Sequence, residues 1–248
     1  MDVLLSLRNV SVSFPRGRRH VVSVLSNVSL DVDAGELVAV LAQRAQGKTT
    51  LLRVAAGMDL PARGEVLFKG DDLCRLSDRR RSALLRQQIG FAEPVGPDID
   101  LPVLAHVAVP LLATLSKKEA YERARVALER VGAEQCSDQP WRSLADSERV
   151  VAALAQAIAR RPELLLVDDL TATLGLGATE RTGRLLRSIA DEDGLAVLMS
   201  VSDADATTWF DRVASLSGGE LLVAPSEGED LSENVIDFPS DPSRRASS

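Results

Sequence analysis

The sequence predicts an α/β fold built around a mainly parallel sheet. Three observations predict it. Strand-like apolar runs alternate with helix-like runs along much of the chain, the order that yields parallel strands joined by crossover helices. Two of those runs hold a continuously apolar stretch, as strands buried on both faces do: AGELVAVLA (34–42), a turn followed by that stretch, and ELLLVDD (163–169), where it ends in two carboxylates. The first leads through a glycine-bearing loop into TTLLRVAAG (49–57), giving the order strand, loop, helix.

The elements follow in chain order. VLLSLRNVSVSF (3–14) and VLSNVSLDV (24–32) alternate with period two, as half-buried strands do, and add an antiparallel β part. A short helix follows the loop and stops near Gly57. RGEVLFKG (63–70) reads as a strand and RRRSALLRQ (79–87) as a short helix. SKKEAYERARVALERVG (116–132) is the clearest helix, with Ser116 and Glu119 as a capping box and Gly132 as its end. DSERVVAALAQAIARRP (146–162) is a second helix, with Asp146 or Ser147 as its N-cap and Pro162 beyond its end. ATERTGRLLRSIADEDG (178–194) is a helix, GLAVLMSVS (194–202) a strand, and RVASLSGGELLV (212–223) a hairpin turning at Ser217-Gly218-Gly219. The helical block from about 95 to 146 interrupts the alternation and reads as an inserted subdomain. After Ala224 the composition turns to Ser, Pro, Glu and Asp, which predicts a disordered tail over 225–248 behind a domain spanning 1–224.

Composition narrows the function. The chain has 248 residues, 45% hydrophobic and 26% charged, with a net charge of -7. That balance suits a globular domain and argues against nucleic acid as a partner. Cys74 and Cys136 have no metal-ligand spacing and suit a reducing compartment. The N-terminus lacks a basic n-region and an apolar core, so no signal peptide is expected. No apolar run approaches the ~20 residues that span a bilayer, so a membrane role is expected to come through a partner.

The chemistry lies in AQRAQGKTT (42–50). A phosphate-binding loop follows G-x-x-x-x-G-K-[ST]: backbone N–H groups wrap the β-phosphate, a lysine neutralises it and a hydroxyl holds Mg²⁺. Gln46, Gly47, Lys48, Thr49 and Thr50 fit the end of that pattern, whereas Ala42 stands at the opening glycine. Asp168, ending LLLVDD, is placed to join Thr49 at the metal. Without that context, GKT would be a chance match and LLLVDD an ordinary core strand.

With these motifs the chain resembles the ATP-binding cassette (ABC) ATPases over nearly all of residues 1–224. It resembles in particular the ATPase subunits of lipoprotein-release and macrolide-export transporters, through DDLCRLSDRRRSALLRQQIGFAEP (71–94) and LPVLAHVAVPLL (101–112). The resemblance implies a P-loop NTPase core with an inserted helical subdomain. It also implies ATP and Mg²⁺ as cofactors, with two such domains sandwiching two ATPs to drive a membrane-spanning subunit. Phe14 falls where the family stacks an aromatic on adenine, its other reading being a core strand residue. Gly47, Lys48, Thr49 and Thr50 match the Walker A end, and Asp168 matches the Walker B aspartate.

Other positions depart from the family. Ala42 and Ala45 replace loop glycines, and alanine where φ must be positive costs about 1 kcal/mol or more. Glu93 or Pro94 stands at the Q-loop glutamine. The signature LSGGQ falls on LADSE (144–148), which puts Asp146 and Glu148 where the family faces a γ-phosphate. Asp169 replaces the glutamate base, Gly175 the D-loop aspartate and Ser202 the switch histidine. LSGGE (216–220) follows Walker B and reads as a hairpin turn, not as a signature. His20 and His106 read as ordinary surface or loop residues. The expectation is an ATP-binding subunit that binds Mg-ATP weakly and hydrolyses it slowly or not at all, with Asp169 at best a poor base. The rival readings are a nucleotide-independent regulatory or scaffold protein and a fully active ATPase. A heterodimer is favoured over a homodimer, because two copies would place LADSE in both composite sites. The expected location is cytoplasmic, at the inner face of the plasma membrane. The tail serines Ser243, Ser247 and Ser248, near Arg244 and Arg245, are candidates for modification, or belong to an unremarkable end.

Overall fold

The computed structural model describes residues 2–16, 20–93, 100–170, 174 and 176–223. Pro94, Gly175 and the tail 225–248 lie outside the described residues.

Two sheets form the frame. β1 (Val3–Arg16), β2 (His20–Asp33), β4 (Arg63–Phe68) and β5 (Asp71–Asp72) make a four-stranded antiparallel sheet in the order β2-β1-β4-β5. β3 (Leu37–Leu41), β6 (Ile89–Ala92), β7 (Leu164–Asp168), β8 (Ala196–Val201), β9 (Arg212–Ser217) and β10 (Glu220–Val223) make a six-stranded sheet ordered β10-β9-β3-β8-β7-β6. Every pairing in it is parallel except β10 with β9.

The helices are α1 (Lys48–Ala55), α2 (Asp78–Gln87), α3 (Val103–Ala108), α4 (Lys117–Arg130), α5 (Asp146–Ile158) and α6 (Leu176–Asp193). The period-two direction of strand side chains divides the interior into two cores. Leu37 and Ala39 of β3, with Leu165 and Val167 of β7, face the core shared with α3, α4, α5 and α6. Val38 and Val40, with Leu164 and Leu166, face the core shared with α1 and the antiparallel sheet. Burying each such Leu or Val contributes roughly 1.5–3 kcal/mol. The central sheet is thus covered on both faces, which is why its strands read as unbroken apolar runs.

The alternating strands β1 and β2 are bent by register shifts. Asn9 and Asn27 take positive φ, 51° and 55°. The Ser29 and Ser11 hydroxyls accept their backbone N–H groups, each at 3.0 Å. Gly64, at φ 93°, lies against this bend; a Cβ there would stand 2.5 Å from the Arg8 and Asn9 carbonyl oxygens.

Helix ends agree with the sequence at α4 and differ at α5. The α4 capping box forms as expected: Glu119 N–H donates to the Ser116 hydroxyl, and Ser116 N–H to the Glu119 carboxylate. At α5 the N-cap is Ala145, not Asp146 or Ser147. Alanine has no side-chain acceptor. Glu148 supplies half of a capping box instead, accepting the Ala145 N–H at 2.8 Å. Nor is His106 a surface or loop residue: it lies on α3, edge-on to Trp141 with ring centroids 4.6 Å apart, and burial pushes its pKa below the usual histidine range. LSGGE forms the β9–β10 turn, as expected.

Candidate functional site

The site lies where β3, β7 and β8 end at the N-terminus of α1. Parallel strands gather their carboxyl ends along one edge, and ligands of open α/β sheets bind there. After Leu41 the chain is pinned by the Ala42 N–H donating to the Val201 carbonyl at 3.0 Å. It then turns through Ala45 at φ 62° and Gly47 at φ 98° into α1. Ala45 therefore carries the left-handed cost expected from the sequence, about 1–2 kcal/mol. Ala42 does not: it is buried and absent from the positive-φ residues, so no left-handed cost attaches to it. Gly47 is required twice over, by its φ and because a Cβ would sit 3.0 Å from the Val24 carbonyl oxygen.

Gln46 turns its side-chain carbonyl to the Gly218 N–H at 2.9 Å. The Gly219 carbonyl in turn accepts the Ser26 N–H at 2.7 Å. The LSGGE turn thus braces the loop from one side and β2 from the other. Val24, Ala45, Gly47, Lys48, Thr49 and Thr50 line a cavity of about 260 Å³. That is below the ~300–1,000 Å³ of a site enclosing a drug-sized ligand. Phe14 lies outside this lining. It pairs with Val22 across the β1–β2 ladder and is 46% exposed, so its ring is open to solvent and is not part of a core.

Two linked clusters hold the charged groups. In the first, Asp168 is clasped from both sides. Thr49 donates to its Oδ2 at 2.7 Å and Ser200 donates to its Oδ1 at 2.9 Å. The register of β7 with β8 sets Ser200 directly beside Asp168. In the second, the nearly buried Lys48 donates to Asp169 Oδ2 at 2.7 Å, to the Ala42 carbonyl at 3.1 Å, and to the Ser202 hydroxyl. Ser202 donates in turn to Asp169 Oδ2 at 2.7 Å. An ammonium has three donors, and all three are committed here. Asp169 takes φ 45°, and its N–H donates to the Ser200 hydroxyl at 3.0 Å. Its Oδ1 is buried and has no hydrogen-bond partner among the described residues.

The motifs place Lys48, Thr49, Asp168 and Asp169 in one site, and the structure brings them together; Ser200, Val24 and the contact of Ser202 with Lys48 come from the structure alone. The only signal for the serines was two hydroxyls, two residues apart, at the end of an apolar strand. Thr49 and Asp168 offer paired hard oxygens of the kind Mg²⁺ prefers, and the loop offers N–H groups at a helix N-terminus for phosphate. The residues present therefore fit Mg²⁺ and a nucleotide phosphate.

The segment aligned with the signature lies at the start of α5. Asp146 pairs with Arg149 at 3.2 Å. Glu148, besides capping Ala145, accepts a weak contact from the Cys136 thiol at 3.5 Å. Burial pushes the Cys136 pKa up to about 11, and the charge of Glu148 adds to the shift.

Comparison with known proteins bears on these features. The ABC transporter family model matches residues 25–172. The lipoprotein-releasing system ATP-binding protein LolD 1 of Rhodospirillum rubrum is 32% identical over 222 residues, covering 89% of this chain and 98% of that protein. LolD of Myxococcus xanthus is 34% identical over 226 residues, covering 89% and 99%. Among solved structures, the dimeric bacterial ABC transporter cassette MJ0796 superposes with a TM-score of 0.78 at 26% identity, covering 88% of this chain and 96% of that one. The same cassette in a dimeric post-hydrolysis state bound to ADP and Pi gives 0.79. With its phosphate loop and clasped aspartate at the strand ends, this chain belongs to the ABC transporter family, as an ATP-binding subunit.

Proposed function

We propose that the chain binds Mg-ATP through residues 42–50 with weak or absent turnover, and acts by coupling to a membrane-spanning subunit. The observation that carries this reading is the unequal state of the two aspartates. Asp168 is held beside Thr49, ready to share a metal, whereas Asp169, the shorter carboxylate at the position of the base, is tied to Lys48 and Ser202. When bound, Mg²⁺ offsets charge on the phosphate oxygens. The chain's own part is to hold that ion through Thr49 and Asp168 and the β- and γ-phosphates through Lys48. Gln46, Gly47 and Thr50 line the phosphates with backbone N–H groups. Phe14, paired with Val22, offers an exposed ring to the adenine.

The second half of a composite ATP site would come from another subunit. Asp146 and Glu148 argue against a second copy in that place. Each carboxylate about 4 Å from a phosphate charge costs roughly 4 kcal/mol at an effective dielectric of 20. A heterodimer with a subunit carrying an uncharged signature avoids that cost. The lipoprotein-releasing relatives lead us to place the chain at the cytoplasmic face of a membrane, beside its membrane-spanning partner. No helix among the described residues is long and apolar enough to cross a membrane.

Titration of Mg-ATP into the purified chain by calorimetry tests this reading, with a steady-state phosphate-release assay on the same sample. Saturable binding with little release is the expected result. Turnover at a rate typical of enzymes, about 1 s⁻¹ or faster, would overturn the impaired-hydrolysis part. Absence of binding and of thermal stabilisation at a large excess of Mg-ATP would overturn the whole reading, since a ligand at 100 times its Kd adds about 2.7 kcal/mol.

A further inference from the structure

We propose that Asp169 is an internal competitor for the nucleotide phosphates, and that Ser202 positions it on Lys48. This rests on the nucleotide-binding reading above and adds how that site is regulated. Four observations carry it. All three ammonium donors of Lys48 already have acceptors, namely Ala42 O, Asp169 Oδ2 and Ser202 Oγ. A phosphate oxygen can therefore reach Lys48 only by displacing one of them. Asp169 is the one whose charge also offsets that of the lysine, so its displacement restores a full positive charge to the loop.

Asp169 is also the strained member. Its φ of 45° lies in the left-handed region, which few side chains other than those of Asn and Asp visit, and its carboxylate leaves one oxygen buried without a partner among the described residues. A residue in that state persists only where its surroundings hold it. Two serines at the end of β8, one in the strand and one just past it, do so: Ser200 accepts the Asp169 N–H, and Ser202 donates to the same carboxylate oxygen that meets Lys48. Ser200 also holds Asp168, so the metal side stays in place while the lysine side is closed.

The test compares wild type with Asp169→Asn, Ser202→Ala and Ser202→Thr, all as the full chain. Calorimetry with Mg-ATP and Mg-ADP gives affinity. Acylation of Lys48 by an amine-reactive ester, quantified by mass spectrometry against Lys69 and Lys117, reports the contact without nucleotide. Asp169→Asn is expected to tighten both nucleotides by about tenfold. A residue acting only as a hydrolytic base would, when replaced, affect ATP and leave ADP unchanged. Ser202→Ala keeps every charge and is expected to tighten binding about threefold, the scale of one hydrogen bond. Ser202→Thr is expected to return wild-type values. Lys48 should be protected in wild type and modified in Asp169→Asn, with Lys69 and Lys117 unchanged.

Equal modification of Lys48 in wild type and Asp169→Asn overturns the proposal. Unchanged or weaker ADP binding by Asp169→Asn, beside saturable wild-type binding, overturns it alone. No binding by any variant defeats both this proposal and the nucleotide reading.

Discussion

The phosphate loop and the start of α5 are both helix N-termini, and they treat their free N–H groups in opposite ways. At α1 the preceding residue is Gly47, which has no side chain and makes no side-chain cap. Lys48, Thr49 and Thr50 of its first turn line a cavity. At α5 the chain caps itself, with Glu148 folded back on Ala145 and Asp146 paired with Arg149. Both ends carry the partial positive charge of the helix dipole, but at α5 two carboxylates of the first turn already answer it. One N-terminus is left for an anion to complete, and the other is complete without one. The family fold alone does not make a helix end a ligand site; the residues that leave its donors free do.

The largest expected effect tests the open end. Lys48→Ala should weaken Mg-ATP binding at least ~100-fold, because it removes a charge-assisted contact in a nearly buried setting. Calorimetry checks this, with the melting temperature as a control for folding. Binding that survives would place the nucleotide elsewhere and end the comparison. Next comes Asp168→Asn, which should abolish most of the Mg²⁺ dependence while metal-free ATP binding changes little. A titration at fixed ATP with and without Mg²⁺ separates the two. Ser200→Ala should lower the same Mg²⁺ dependence by a smaller factor, about threefold, by releasing one side of the Asp168 carboxylate.

The closed end gives smaller effects. Glu148→Ala should lower stability by about 1 kcal/mol, the scale of a lost cap, and leave ATP affinity unchanged. Thermal melts and calorimetry read these in parallel. The pH dependence at Cys136 sharpens the point. Its folded pKa, about 11, lies above the ordinary thiol value of 9.0. Between those values the unfolded chain loses the proton and the native chain keeps it, so stability is full below about pH 9 and falls as pH rises toward 11. Cys136→Ser should flatten that alkaline fall, measured as melting temperature against pH.

Legibility in the sequence followed locality. The turn through Ala45 and Gly47, the β3 and β7 runs and the Ser116–Glu119 box each lie within a few consecutive residues, and each forms as expected, whereas Ala42 needs no positive φ. The α5 cap lies one or two residues before Asp146 or Ser147 because Glu148, three positions on from Ala145, replaces the side-chain acceptor that Ala145 lacks. His106 was misread because its neighbours Trp141 and Gln156 are remote in the chain.

By itself, the sequence determined the strand–loop–helix order, the two apolar strands and which chemical groups stand at their ends. Local periodicity and turn chemistry are enough for that. Only the tertiary structure decided what those groups do to one another. Lys48 meets Asp169 across 121 positions and Ser202 across 154. Those meetings exist because β7 and β8 pair in a register that sets Asp168 beside Ser200. A shift of one residue in that pairing would turn the serines away, since side chains alternate between the faces of a strand. The register is held by the two cores on either side of the sheet, a property of the whole chain.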